Sequence, residues 1–91
     1  MNQPLFDEHT KTLFATILKL SSIEECEAFF RDLCTIKEIQ SMSQRLEAAR
    51  LLAAGKTFTQ IEAITGISST TLSRVSQALK YGEGYKKALK K

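Results

Sequence analysis

The sequence predicts an all-α fold, and three observations predict it. Apolar residues recur at three- and four-residue steps along nearly the whole chain, and only Thr57-Phe58-Thr59 briefly looks like a strand. Gly, Ser and Thr fall between the periodic stretches, where helices start and stop. With 91 residues the chain is expected to form one small domain, since a single core takes about 100 to 150 residues. A hydrophobic content of 43% with 25% charged residues is that of a folded globular chain rather than a disordered one. A chain this short buries only about two-thirds of its surface, so a second copy is expected to complete the core as a homodimer.

The elements follow in order. Phe6, Leu13, Phe14, Ile17, Leu18 and Leu20 share one face of a first helix that starts near Asp7, an N-cap type, and ends before Ser21-Ser22. Ser22 with Glu25 has capping-box spacing, and Ile23, Cys26, Phe30 and Leu33 carry a second helix over 23–34. Thr35 with Glu38 repeats the box. It opens a stripe of Ile36, Ile39, Met42, Leu46, Ala49, Leu52 and Ala53 that stops at Gly55, with a break expected at Ser41-Met42-Ser43. Residues 1–55 are thus read as N-terminal helices that supply the dimer contact. Thr59 with Glu62 is a third box, and Ile61 and Ile64 give that short helix an apolar face up to Thr65-Gly66. Ser68 then caps a helix over 69 to 79 or 80, and Gly82 and Gly84 mark a joint before a short helix over 83–91, with Tyr85 and Leu89 on one line.

The net charge of +3 hides an asymmetry. Residues 1–55 hold 6 Lys/Arg against 8 Asp/Glu, net −2, and residues 56–91 hold 7 against 2, net +5. A basic C-terminal third suits a polyanion. No apolar run approaches the roughly 18 residues of a membrane span, and Met1-Asn2-Gln3-Pro4 lacks the basic and apolar regions of a signal peptide, so a cytoplasmic location is expected. Cys26 and Cys34, eight residues apart, are about 12 Å apart along a helix, too far for a disulfide within it, and are expected to be reduced, buried thiols.

The stretch 58–80 carries the functional signal. With Ser69 at 0° and about 100° per residue, Leu72, Val75 and Leu79 lie near 300°, 240° and 280°, an inner face. Ser69, Thr70, Ser73, Arg74, Gln77 and Lys80 lie between about 0° and 140°, an outer face with no acid. A short helix, a glycine turn and a second helix with a small, polar, basic outer face meet the needs of a helix-turn-helix, whose second helix enters a groove about 12 Å wide. A solvated amphipathic hairpin has the same spacing, but Ser and Thr are mediocre helix formers and odd filler for an idle face. The alternative is a small dimeric interaction module whose basic end binds an acidic protein partner.

The run Ser43-Gln44-Arg45-Leu46 to Leu51-Leu52, then Gly55-Lys56-Thr57-Phe58-Thr59-Gln60-Ile61, Ile64-Thr65-Gly66-Ile67-Ser68-Ser69-Thr70-Thr71-Leu72-Ser73-Arg74-Val75 and Leu79-Lys80-Tyr81-Gly82 resembles the Trp repressor family, in the YerC/YecD-type branch of short bacterial proteins. The resemblance implies an all-helical, intertwined homodimer with one helix-turn-helix per chain, and a role in repression or other transcriptional control. It implies base-edge contacts for Ser69, Thr70, Thr71 and Ser73, and backbone contacts for Thr59, Gln60, Ser76 and Lys80, with Arg74 a further DNA-binding candidate. The sequence departs from the general helix-turn-helix pattern at Glu62, where Ala is favoured. A carboxylate there must turn outward or cap Thr59.

In tryptophan-responsive members two arginines clamp the ligand, and Arg45 and Arg74 match them, Arg45 approximately because the loop after Leu52 differs in length. Those members have glycine after the second arginine and serine three residues further on. Val75 and Ala78 stand there in this sequence. Valine adds three carbons where an indole would lie, at a cost of about 1 to 3 kcal/mol, and alanine removes a polar contact. Tryptophan is therefore not expected as co-regulator; of the alternatives, a different small ligand or constitutive DNA binding, the second is expected because the inner face is filled. His9 is the only histidine and no CxxC is present, so no metal is expected. Asp7, Glu8 and His9 sit where acids favour the helix dipole, and Cys34 has no base the sequence can place. Neither GxGxxG nor a Walker loop occurs. No enzyme activity and no cofactor are expected.

Overall fold

A computed structural model describes residues 7–90 of the chain; Phe6 and Lys91 of the expected elements lie outside them. Among the described residues there are six helices and no strand: α1 (Glu8–Ile17), α2 (Ile23–Leu33), α3 (Ile36–Ala53), α4 (Phe58–Thr65), α5 (Ser69–Tyr81) and α6 (Gly84–Lys90). They form two compact units, divided between Thr35 and Ile36.

The first unit contains α1 and α2. Asp7 caps α1, its Oδ1 accepting from Thr10 N at 2.8 Å and from Thr10 Oγ1 at 2.9 Å. These bonds hold its carboxyl below the usual carboxylate range. Ser22 caps α2 by accepting from Glu25 N at 3.0 Å, while Glu25 reaches one residue further back than a strict capping box, to Ser21 N at 3.0 Å. Neither helix contains a buried residue. Phe14, Leu18, Ile23 and Leu33 remain 43%, 85%, 74% and 50% exposed. Cys26 and Cys34 are free thiols, as expected, but half-buried rather than buried, in keeping with a unit that has no interior of its own.

The second unit is built on α3, against which α4 and α5 pack. α3 runs unbroken through Ser41-Met42-Ser43, where the sequence predicts a break. Ser43 Oγ donates to Ile39 O at 2.8 Å, so the hydroxyl bonds back onto its own helix and does not compete with the ladder. Ala48 and Ala49 are completely buried, and side chains this small allow a neighbouring helix to approach closely. α3 ends in a Schellman pattern, with Gly55 N donating to Leu52 O at 3.0 Å and Lys56 N to Leu51 O at 3.0 Å.

The cap of α4 differs from the sequence expectation. Thr57, not Thr59, is the N-cap: its Oγ1 accepts from Gln60 N at 3.2 Å and Gln60 Oε1 accepts from Thr57 N at 2.9 Å. The Thr-x-x-Glu/Gln spacing occurs twice, two residues apart, and the earlier register adds two residues to the hydrogen-bonded ladder. Glu62 is therefore not the capping partner and lies half-buried further along α4. The core comprises Ala48, Ala49, Ile61, Ile67, Leu72 and Val75, with Leu51, Leu52, Tyr85 and Leu89 packed against it.

Candidate nucleic-acid interface

The turn between α4 and α5 follows from four residues. Thr65 Oγ1 donates to Ile61 O at 2.7 Å and accepts from Ile67 N at 3.2 Å. Gly66 takes the left-handed conformation, φ +73°, and its N–H closes α4 onto Glu62 O at 2.9 Å. A Cβ there would meet nothing nearer than Gln44 Nε2 at 3.9 Å, so the backbone conformation, not space, selects glycine. Ile67, 6% exposed, anchors the turn in the core. Ser68 then caps α5, its Oγ accepting from Thr71 N at 3.2 Å.

Gln44 adds a tie that sequence reasoning missed. Its Nε2 donates to Thr65 O at 3.0 Å, joining α3 to the end of α4. The partners are 21 residues apart, and no local motif signals such a pair.

The faces of α5 separate as the helical step requires. Leu72 and Val75 are 0% and 3% exposed, and Leu79 is half-buried. Ser69, Thr70, Ser73, Arg74, Gln77 and Lys80 are exposed; Thr71 and Ser76 are half-buried at the edges of the stripe. Thr71 Oγ1 accepts from Ser68 Oγ at 3.0 Å, so that hydroxyl is engaged in the cap. On α4, Thr59 and Gln60 are exposed, and Gln60 has its amide oxygen committed to the cap and its amide nitrogen on offer. Lys80 Nζ lies 5.7 Å from the centre of the Tyr81 ring. The stripe thus offers hydroxyls, an amide and two cations, with no carboxylate on α5 to repel a phosphate.

Arg45 and Arg74 are brought together around one cavity of about 300 Å³, lined also by Ser41, Thr71, Val75, Ala78 and Tyr85. The expectation that the inner face is filled is corrected here. Val75 is directed into the core, 3% exposed, and Ala78 is short, so a space at the lower end of ligand-pocket sizes remains between the two arginines. Among the described residues, no group of three or more His, Cys, Asp or Glu could hold a metal, and no helix is long and apolar enough to cross a membrane.

Comparison with known proteins places this geometry. The chain is 55% identical over 78 residues to the uncharacterized protein YerC of Bacillus subtilis (strain 168), covering 85% of this chain and 75% of that protein. A crystal structure of a candidate Trp repressor from Staphylococcus aureus superposes with a TM-score of 0.89 at 44% identity, over 94% of this chain and 87% of the other. A TrpR-like protein from Eubacterium eligens ATCC 27750 gives 0.88 at 41% identity, over 92% and 88%. The family described as Trp repressor protein matches residues 8–91. The two solved relatives share the all-helical fold, the matched region includes the caps, the turn and the polar face of α5, and the chain belongs to the Trp repressor family.

Proposed function

We propose that the chain is a sequence-specific DNA-binding transcriptional regulator, acting as a repressor in the cytoplasm, with α4, the Gly66 turn and α5 as a helix-turn-helix. The observation that carries this reading is the exposed, acid-free stripe of α5 set on a buried Leu72–Val75 face. Ser69, Thr70, Thr71 and Ser73 read base edges near the start of α5. Thr59, Gln60, Ser76 and Lys80 meet the sugar–phosphate backbone, and Arg74 adds a cation beside them. The chain works as an intertwined homodimer, two copies of α5 sitting about 34 Å apart on a near-palindromic site.

Tryptophan is not the co-regulator in this reading. Ala78, which borders the cavity between Arg45 and Arg74, offers no hydroxyl to a ligand amine.

Selection from random duplexes followed by salt titration tests the proposal. A near-palindromic site should emerge, with affinity falling steeply as salt rises. Lys80→Ala should lower the salt slope by about one unit, and Thr70→Ala should change the preferred site. No duplex affinity at low salt would sink the reading, and a tryptophan-dependent gain in operator binding would sink its second part.

A further inference from the structure

We infer that the lysine face of α6, with Tyr81, is a second phosphate-contact surface that grips the duplex backbone beyond the groove α5 enters. This rests on the reading of α5 as the groove-entering helix. Its basis is the junction between α5 and α6, which is built tightly. Gly82 N donates to Ala78 O at 2.9 Å, and a Cβ at Gly82 would stand 2.7 Å from that same oxygen, so no larger residue fits without displacing backbone. Lys86 Nζ donates to Lys80 O at 3.0 Å and so places a cation on the carbonyl end of α5. Tyr85 and Leu89 pack against the core. α6 is therefore held in a set direction relative to α5.

That direction sorts the lysines. At about 100° per residue, Tyr85 and Leu89 fall on one side of α6, Lys87 and Lys90 on the other, and Lys86 between the two. Lys86, Lys87 and Lys90 border a depression of about 320 Å³ together with Tyr81, Gly82 and Glu83. Tyr81 is 79% exposed, an aromatic plane beside the cations. Glu83 is the one acid bordering it, and its contact with Lys87 is a loose 3.9 Å between exposed groups, which a phosphate can replace.

Reach then decides the partner. Lys80 lies about 16 Å along α5 from Ser69, more than the roughly 12 Å width of the major groove. When the start of α5 is in the groove, its end has passed the rim, and the cations that follow along the chain are those of α6. A phosphodiester chain continues past that rim and carries a charge at every step, and it is the polyanion that the exposed lysines of α6 would meet there.

The test uses the full chain and anisotropy titrations over a range of salt, with a selected duplex and a random one. The double variant Lys87→Ala/Lys90→Ala should lower the salt slope by about two units on both duplexes. It should weaken binding on the order of tenfold at physiological salt and leave the preference between duplexes unchanged. Lys87→Arg/Lys90→Arg should restore the slope. Lys11→Ala/Lys19→Ala removes the same charge from the first unit and should leave the slope alone. Wild-type binding with a slope indifferent to the α6 double variant overturns this inference and leaves the reading of α5 standing, as does an equal loss in the first-unit variant. Affinity for polyglutamate matching that for duplex overturns it in favour of an acidic protein, and absence of wild-type duplex binding overturns both readings.

Discussion

The two units of this chain solve the same problem differently. α1 and α2 carry apolar stripes at helical spacing yet contain no buried residue, and Leu18 stands 85% exposed. In the second unit the same kind of stripe becomes a core of six buried residues, because α3 provides a facing surface with Ala48 and Ala49 at its centre. Amphipathicity creates the demand for a partner and does not supply one. The first unit leaves its apolar face exposed, and the second turns its own into an interior.

The greatest change expected from this contrast is in the second unit. Leu72 is completely buried, so Leu72→Ala should destabilise by about 2 to 5 kcal/mol, a large part of a small domain's total. Thermal unfolding followed by circular dichroism measures it. A loss within about 0.5 kcal/mol, the range of a surface substitution, would mean α5 is not seated on α3 as described.

The first unit should respond in assembly rather than in folding. If its stripe is covered by a second copy, Leu18→Lys should remove roughly 1.5 to 3 kcal/mol of apolar burial per chain and shift dimer toward monomer. Light scattering at micromolar concentration reports the mass. An unchanged dimer would undo the contrast, because Leu18 would then be exposed in the assembly too.

A finer test lies at a helix start. Thr57→Ala should cost about 1 kcal/mol through the lost cap of α4, whereas Thr59→Ala should stay within about 0.5 kcal/mol. Urea midpoints at equal slope decide it, and the reverse ranking would restore the cap to Thr59.

The least change is expected at the start of α1. Bonds from Thr10 hold the Asp7 carboxyl below its ordinary value of 3.8. Its folded value is the lower one, so its contribution is present above the ordinary value and is lost as pH falls from there through the lowered one. The Thr10 amide resonance should follow this loss below pH 3.8. Asp7→Asn keeps a capping oxygen and should abolish the pH dependence.

Three helix starts, at Asp7, Ser22 and Ser68, are legible because an N-cap is a bond between residues three apart, written in consecutive sequence. The Gly66 turn is legible for the same reason. The α4 start is not, because two equal patterns overlap and only the preceding end of α3 and the ladder distinguish them. Ser43 hides its bond to Ile39 behind a composition typical of breaks. The outer stripe of α5 follows from periodicity alone, while the meeting of Arg45 and Arg74 at one cavity is implied only by family resemblance.

Local sequence specifies the helices, most of their caps, the left-handed turn at Gly66 and the acid-free face of α5, since each depends on neighbours within about one or two turns. Packing selected which apolar stripes became core, joined α3 to α4 and α5, set Gln44 against the turn, and gave Lys86 its hold on the direction of α6. Each of these needs a surface or an atom brought from elsewhere in the chain or from a neighbouring helix, and periodicity specifies that a face is apolar without specifying what covers it.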